Sequence, residues 1–292
     1  MISRISLLKC KEGVSEEAFR EGMMGDVRDV IARMPQLRKC EIDFVTDRQQ
    51  RSHLGRGAID IDGFIEMFFD SYGDMQQAMD EAGDALLAAL EPLVEEPVST
   101  LVAVKKVDTP VPAYLDGKAI KRVSFCDRAE GVDAATFHDE WWYTHSLLVK
   151  LMSGYCGYNQ NLVIDRMVQG ASVHYADLPV EGMVEFWFED MDAFDECYST
   201  VGFKFARERA CSGVHRHRHD VFRRSRACGA AELDEVRTAS RTRRDAVLFG
   251  RGALLWSQSE QSFSMMPLSR VLIKRLSRRR STPKRRPNVG RA

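Results

Sequence analysis

Apolar and polar positions along this chain fall into two successive blocks with the same order of elements. Ile2–Leu8 is a short apolar run of strand length, ended by the polar residues 9–13. Ser15, followed by Glu17, Ala18 and Phe19, supplies a capping side chain and an acidic first turn. Phe19, Met23, Val27, Val30 and Ile31 recur at helical spacing, and Pro35 closes the segment. Cys40, Ile42, Phe44 and Thr46 then alternate with Glu41, Asp43 and Val45, mostly in the period of a half-buried strand. The pattern predicts a third strand at 64–69, a second helix at 75–90 and a fourth strand at 98–104. The second block predicts a strand at 120–125, a helix at 134–152, strands at 158–164 and 183–188, and a helix at 191–206.

The two blocks are copies. Ile2, Arg4, Ser6, Gly13, Val14, Phe19 and Asp47 return as Ile120, Arg122, Ser124, Gly131, Val132, Phe137 and Asp165, all 118 positions on. One inserted residue later, Gly63, Glu66 and Phe68 match Gly182, Glu185 and Trp187. A register held this long marks a duplicated structural unit rather than a solenoid repeat. Each unit reads βαββαβ, a ferredoxin-like layer of helices on one sheet face. The other sheet face needs cover, and two linked copies can give it to each other by packing sheet to sheet. The fold expectation is therefore α+β, two tandem ferredoxin-like units forming one pseudo-dimer. The expected boundaries are 1–107 for the first unit, 108–117 for an extended linker with Asp108, Pro110 and Pro112, and 118–215 for the second unit. Residues 216–292 are expected to be a basic, disordered tail.

At 292 residues the chain is long enough for about two domains. Its net charge of −1 hides a marked asymmetry. Residues 1–203 hold 19 Lys and Arg against 36 Asp and Glu, whereas 204–292 hold 23 against 7. An acidic body argues against a nucleic-acid surface on the duplicated part. The seven cysteines are scattered, with no spacing that suggests a disulfide frame or a zinc site. No signal-peptide pattern or membrane-length apolar run is visible. The expected setting is soluble and cytoplasmic, with no metal and no membrane partner. Phosphate-binding glycine loops, GxSxG elbows and paired zinc motifs are likewise missing, which argues against nucleotide, flavin and serine-hydrolase chemistry.

The phrase Arg122-Val123-Ser124, Glu130-Gly131-Val132, Phe137, Trp141 and His145 resembles the EthD family. The likeness spans about residues 1–210 and is better in the second copy. It implies the dimeric α+β barrel fold and, from characterised relatives, cofactor-free proton chemistry on carbonyl compounds of polyketide or lactone type. It also implies that His145 stands at the family's histidine position.

The copies differ where chemistry would sit. His145 corresponds to Val27, so the fold itself does not need a histidine there. A histidine facing the barrel could shuttle protons near neutral pH; the plainer role is a polar residue bonded to the backbone. Tyr158 corresponds to Cys40 and could donate to a carbonyl oxygen becoming an enolate, or simply be a core aromatic. The resemblance to lactone isomerases favours the first. His174 lies in the polar loop 167–179, where solvation is the commoner fate. Trp141, Trp142 and Trp187 would suit a flat hydrophobic substrate, although neighbours on a helix point about 100° apart and at most one of the pair lines a cavity. Asn159 and Asn161 could orient a ligand or close a turn.

The leading expectation is thus a cofactor-independent lyase or isomerase with His145, Tyr158 and His174 as catalytic candidates. Trp141, Trp142, Trp187 and Asn159 would hold a hydrophobic small molecule. The alternatives are a non-catalytic binding protein serving a degradation pathway, or a haem-binding barrel. The internal pseudo-dimer leaves room for a further homodimer.

The last strand of the second unit is the irregular point. His215, His217 and His219 stand where apolar residues are expected, followed by Arg223-Arg224 and later runs of arginine. Three readings compete: a metal-binding face, a basic arm for nucleic acid or acidic lipid, and a shifted reading frame that removes the fourth strand.

Overall fold

A computed structural model describes residues 1–47 and 59–204, together with the backbone of 215–228. All lie within one compact unit, Met1–Arg243. The first half contains β1 (Ile2–Leu8), α1 (Glu16–Gly22), α2 (Arg28–Ala32), β2 (Lys39–Asp47), β3 (Gly63–Phe69), α3 (Tyr72–Leu90) and β4 (Ser99–Thr109). The second contains β5 (Ile120–Arg128), α4 (Ala134–Asp139), α5 (Ser146–Val149), β6 (Gly157–Val168), the short β7 (Ala171–Ser172), β8 (Gly182–Phe188), α6 (Met191–Ser199) and β9 (His215–Cys228).

The duplication is visible in local geometry. Gly13 and Gly131 both adopt left-handed backbone, φ +85° and +80°, which a side chain would strain. Ser15 and Asp133 then cap the following helices, accepting from Ala18 N and Thr136 N. In each half the first helix is interrupted by a π-helical stretch, Met23–Val27 and Glu140–His145. Such widening is frequent at functional sites.

The two sheets face each other across a shared apolar layer, as the sequence pattern suggests. They also join edge to edge. β4 pairs antiparallel with β6, and β9 lies between β2 and β5, so the order β4-β1-β3-β2-β9-β5-β8-β6 returns to β4. The physical reason is the length of β4 and β6. Their pairing runs from Ser99 against Val168 to Thr109 against Tyr158 and satisfies backbone groups that an open edge would expose. The fourth strand of the second unit is thus occupied by the backbone of β9 despite its polar sequence. Residues 229–292, including the arginine runs at 278–280, lie outside the described residues.

Strands β1–β6 and β8 each bury side chains on both faces. Helix-side cores form in both halves, around Phe19, Val27, Ile31, Ile42 and Met67 in the first. In the second they gather around Phe137, Trp141, Tyr158, Phe186 and Phe194. A third cluster, including Ile5, Phe64, Leu101, Val123, Phe125 and Met183, fills the barrel between the sheets. Burying each such side chain contributes roughly 1.5–3 kcal/mol. No helix among the described residues is long and apolar enough to cross a membrane.

Candidate functional site

The candidate residues divide between two faces of one sheet. Tyr158 and Trp141 belong to the helix-side core of the second half, and both are fully buried. His145 ends the π-helical stretch that covers this face and is 8% exposed. Trp142, half-buried, packs on the same cluster. Asn159 and Trp187 point the opposite way, into the barrel, because they stand at odd parity from Tyr158 and Phe186 along their strands. His174 is exposed in the loop after β7. The structure thus groups His145, Tyr158, Trp141 and Trp142 and leaves the other three apart. It also corrects the expectation that His145 and Tyr158 look into the barrel: they lie between helices and sheet.

Each polar member of this group replaces an apolar residue of the first unit. At the matched offset, Trp141, His145 and Tyr158 stand for Met23, Val27 and Cys40, all buried. Among the described residues, neither the Tyr158 hydroxyl nor Trp141 Nε1 has a hydrogen-bond partner. Leaving one such donor buried costs about 1–3 kcal/mol. Burial, with the nearby Cys126 and Asp108, pushes the Tyr158 pKa well above its usual value, so the phenol keeps its proton. Gly182 makes room for Trp141: a Cβ there would fall 2.6 Å from the indole ring.

Polar groups from β4 and β6 brace the π-helical turn. Lys106 Nζ donates to Trp142 O at 2.7 Å and Ser146 Oγ at 2.9 Å, and its ammonium lies 5.3 Å from the Trp142 ring centroid. Gln160 Nε2 donates to Trp141 O at 2.7 Å. These bonds satisfy carbonyls on the segment that carries His145. Lys106 comes from the first unit, so the two halves build this region together.

The barrel interior holds a second polar constellation, unforeseen in the sequence. Lys121 Nζ lies 2.6 Å from Glu185, 3.1 Å from Asp43, 3.3 Å from Glu41 and 3.9 Å from Glu66. Lys105 bridges Glu185 at 2.7 Å and Glu66 at 3.0 Å. Asn159 and Asn161 each donate to Glu185 Oε2. Burial first, then the Glu185 carboxylate, pushes Glu66 up to about 8. Glu41 goes the other way: burial raises it, but Lys121, Lys105 and Lys39 outweigh that and hold it at about 2. Glu41, Glu66 and Glu185 offer oxygens within 4.8 Å of one another, a spacing fit for a metal ion. Lys121 already places positive charge among them, so the donor set does not call for one. A cavity of about 270 Å³, lined by Phe68, Lys105, Asn159 and Trp187, opens beside the cluster. A second, of about 550 Å³, lies over Leu7, Ile61, Phe125 and Leu178.

The signal that could have found this cluster was present. Glu66 and Glu185 are repeat-matched charges inside strands that are otherwise apolar, Gly63–Phe69 and Gly182–Phe188. A carboxylate so placed must be paired.

Comparisons with known proteins agree with this architecture. The chain is similar to an anthrone oxidase-like protein, at 9% identity over 78% of this chain and 93% of that one, with a TM-score of 0.53. It is similar to a protein assigned as a monooxygenase from Fusobacterium nucleatum, at 8% identity over 78% and 92%, with a TM-score of 0.50. An ethyl tert-butyl ether D (EthD) family protein from Bacillus halodurans matches at 19% identity over 35% of this chain and 95% of its own, with a TM-score of 0.27. No curated protein matches the sequence. The EthD domain family matches residues 129–204. That stretch includes α4, the π-helical turn with His145, β6 and β8, so the likeness to the EthD domain family lies in the second half of the chain.

Proposed function

We propose that this protein is a cofactor-independent lyase or isomerase that moves a proton next to a carbonyl of a hydrophobic, polyketide- or lactone-like molecule. The reaction would take place in the helix layer of the second unit. The observation that carries the reading is the pair of buried donors, Tyr158 O–H and Trp141 Nε1–H, without an acceptor among the described residues. A substrate oxygen would satisfy them. The first unit fills the same positions with Met23, Val27 and Cys40, so folding does not demand these polar groups.

In this scheme the His145 imidazole takes a proton from the carbon beside the carbonyl. Electrons from that C–H bond move onto the carbonyl oxygen, and the Tyr158 hydroxyl donates to the enolate oxygen. A proton then returns from His145 to a different carbon in an isomerase. In a lyase acting on a β-keto acid, the C–C bond to the carboxylate breaks instead, its electron pair forms the enolate as CO2 leaves, and the His145 imidazolium gives the carbon its proton. The high Tyr158 pKa keeps the phenol a donor throughout, and exclusion of water strengthens its bond to the developing charge. The barrel is closed by two halves of one chain, and both the base and the donor come from the second.

The test is turnover of a panel of lactones and β-keto acids by the full chain. His145→Ala is expected to lower kcat by about 10²- to 10⁴-fold, the usual worth of a general base. Tyr158→Phe is expected to lower it by about 10²- to 10³-fold. A carrier would bind members of the panel without converting them, and unaltered turnover by His145→Ala would remove the assigned base.

A further inference from the structure

We infer that the helix layer of the first unit holds a separate binding site for a hydrophobic carboxylate, anchored by Arg4. Arg4 projects from β1 toward the helices, between Met67 and Val102 on the neighbouring strands. Only 5% of its surface is exposed. Among the described residues its one hydrogen-bond partner is Ser6 Oγ, at 2.7 Å, and its Nε has none. Among the described residues no carboxylate pairs with it. Ser6 Oγ in turn lies 3.4 Å from Thr100 Oγ1, so two hydroxyls sit beside the guanidinium.

Such an arrangement is costly. Taking an ion out of water costs several kcal/mol unless an opposite charge and further hydrogen bonds compensate. Burial draws Arg4 down to about 10, with no neighbouring anion to oppose it, and the group remains charged at neutral pH. The matched residue in the second unit, Arg122, is also buried and lies 4.9 Å from the Tyr198 ring centroid. At the position matched to Tyr198 the first unit has Met79. Arg4 therefore keeps its planar fork of donors, suited to a carboxylate held by two bonds.

The surroundings favour an apolar body on that ligand. Met23, Met34, Met67 and Met75 are buried in this layer, with Met24 and Met79 packed against them. Methionine walls are soft and unbranched, and they adapt to an inserted chain better than branched or aromatic packing does. The site does not depend on the proton chemistry assigned to the second unit, and each fails or stands alone.

Calorimetric titration of octanoate and of uncharged octanamide into the full chain tests this. Octanoate should saturate one site and bind about tenfold or more tightly than octanamide, a difference of about 1.4 kcal/mol. Arg4→Met should abolish that preference, and Arg4→Lys, which keeps the charge but not the fork, should weaken it. Arg122→Met should leave it intact. The comparison of the two probes on the unaltered chain needs no variant to fold. Equal binding of both probes, no saturable octanoate binding, or a preference that survives Arg4→Met would overturn the inference.

Discussion

Lys106, on the last strand of the first unit, reaches across the β4–β6 seam to bond Ser146, the residue after His145 in the second unit. The same ammonium holds the carbonyl of Trp142. Lys106→Met would leave that carbonyl without its donor and loosen the π-helical turn. We expect a loss of about 1–3 kcal/mol in stability, readable as a lower urea midpoint. If the turn orients His145, kcat should fall more than KM changes, and the pH profile should shift. Identical kinetics in Lys106→Met would separate the seam from the site.

Lys121 tests the barrel interior. Its ammonium stands within 3.9 Å of four carboxylates. Lys121→Met should destabilise the protein by about 3–5 kcal/mol, because it leaves buried negative charge uncompensated. Adding Glu185→Gln to that variant should recover part of the loss. A double variant no more stable than the single one would mean that the pair is not the organising contact.

Glu66 makes the same cluster sensitive to alkali. Its folded value of about 8 lies above the roughly 4.3 of an unfolded glutamate. The folded state therefore holds a proton that the unfolded state has released. Its contribution to stability is full below about pH 4.3 and is lost as pH rises through 8. Glu41, held at about 2, has the opposite sign and loses its contribution as pH falls toward that value. Denaturation midpoints should decline between about pH 4.3 and 8 in the unaltered protein and level off above. Glu66→Gln should remove most of that decline, and an undiminished decline would assign the titration to another group.

Gly182→Ala probes the room left for Trp141. The added methyl would meet the indole at 2.6 Å, an overpacking that costs about 1–3 kcal/mol. The indole must move, so near-ultraviolet circular dichroism should change along with activity. A variant with unchanged spectrum and stability would show that the indole has more space than its neighbours suggest.

The strand and helix order was legible because short apolar runs, Gly13 and Gly131, and the Ser15 cap each obey local rules. The face on which Tyr158 lies was not. Alternation separates Tyr158 from Asn159, but in a closed barrel both faces of a strand are buried, so the pattern cannot say which one meets the helices. Edge-to-edge closure is hidden for a related reason: pairing of β4 with β6 is a matter of backbone groups, which the side chains barely report. His145 against Val27 was readable because the repeat supplies its own control. Glu66 and Glu185 mark the register of the repeat, and it is their place inside apolar strands that signals a buried charge. The polar sequence of β9 hid a strand held by backbone pairing to both neighbours.

If His145 and Tyr158 serve chemistry, the second unit carries their polar groups at a cost in stability. Replacing His145 and Tyr158 together by valine and phenylalanine tests it in one sample, scored by both melting temperature and turnover of a lactone or β-keto acid that the unaltered protein converts. The expected result is a melting temperature equal to or above that of the parent, with turnover reduced by at least about 10²-fold. A clear drop in melting temperature with turnover preserved would assign these two side chains to packing and contradict the proposed site.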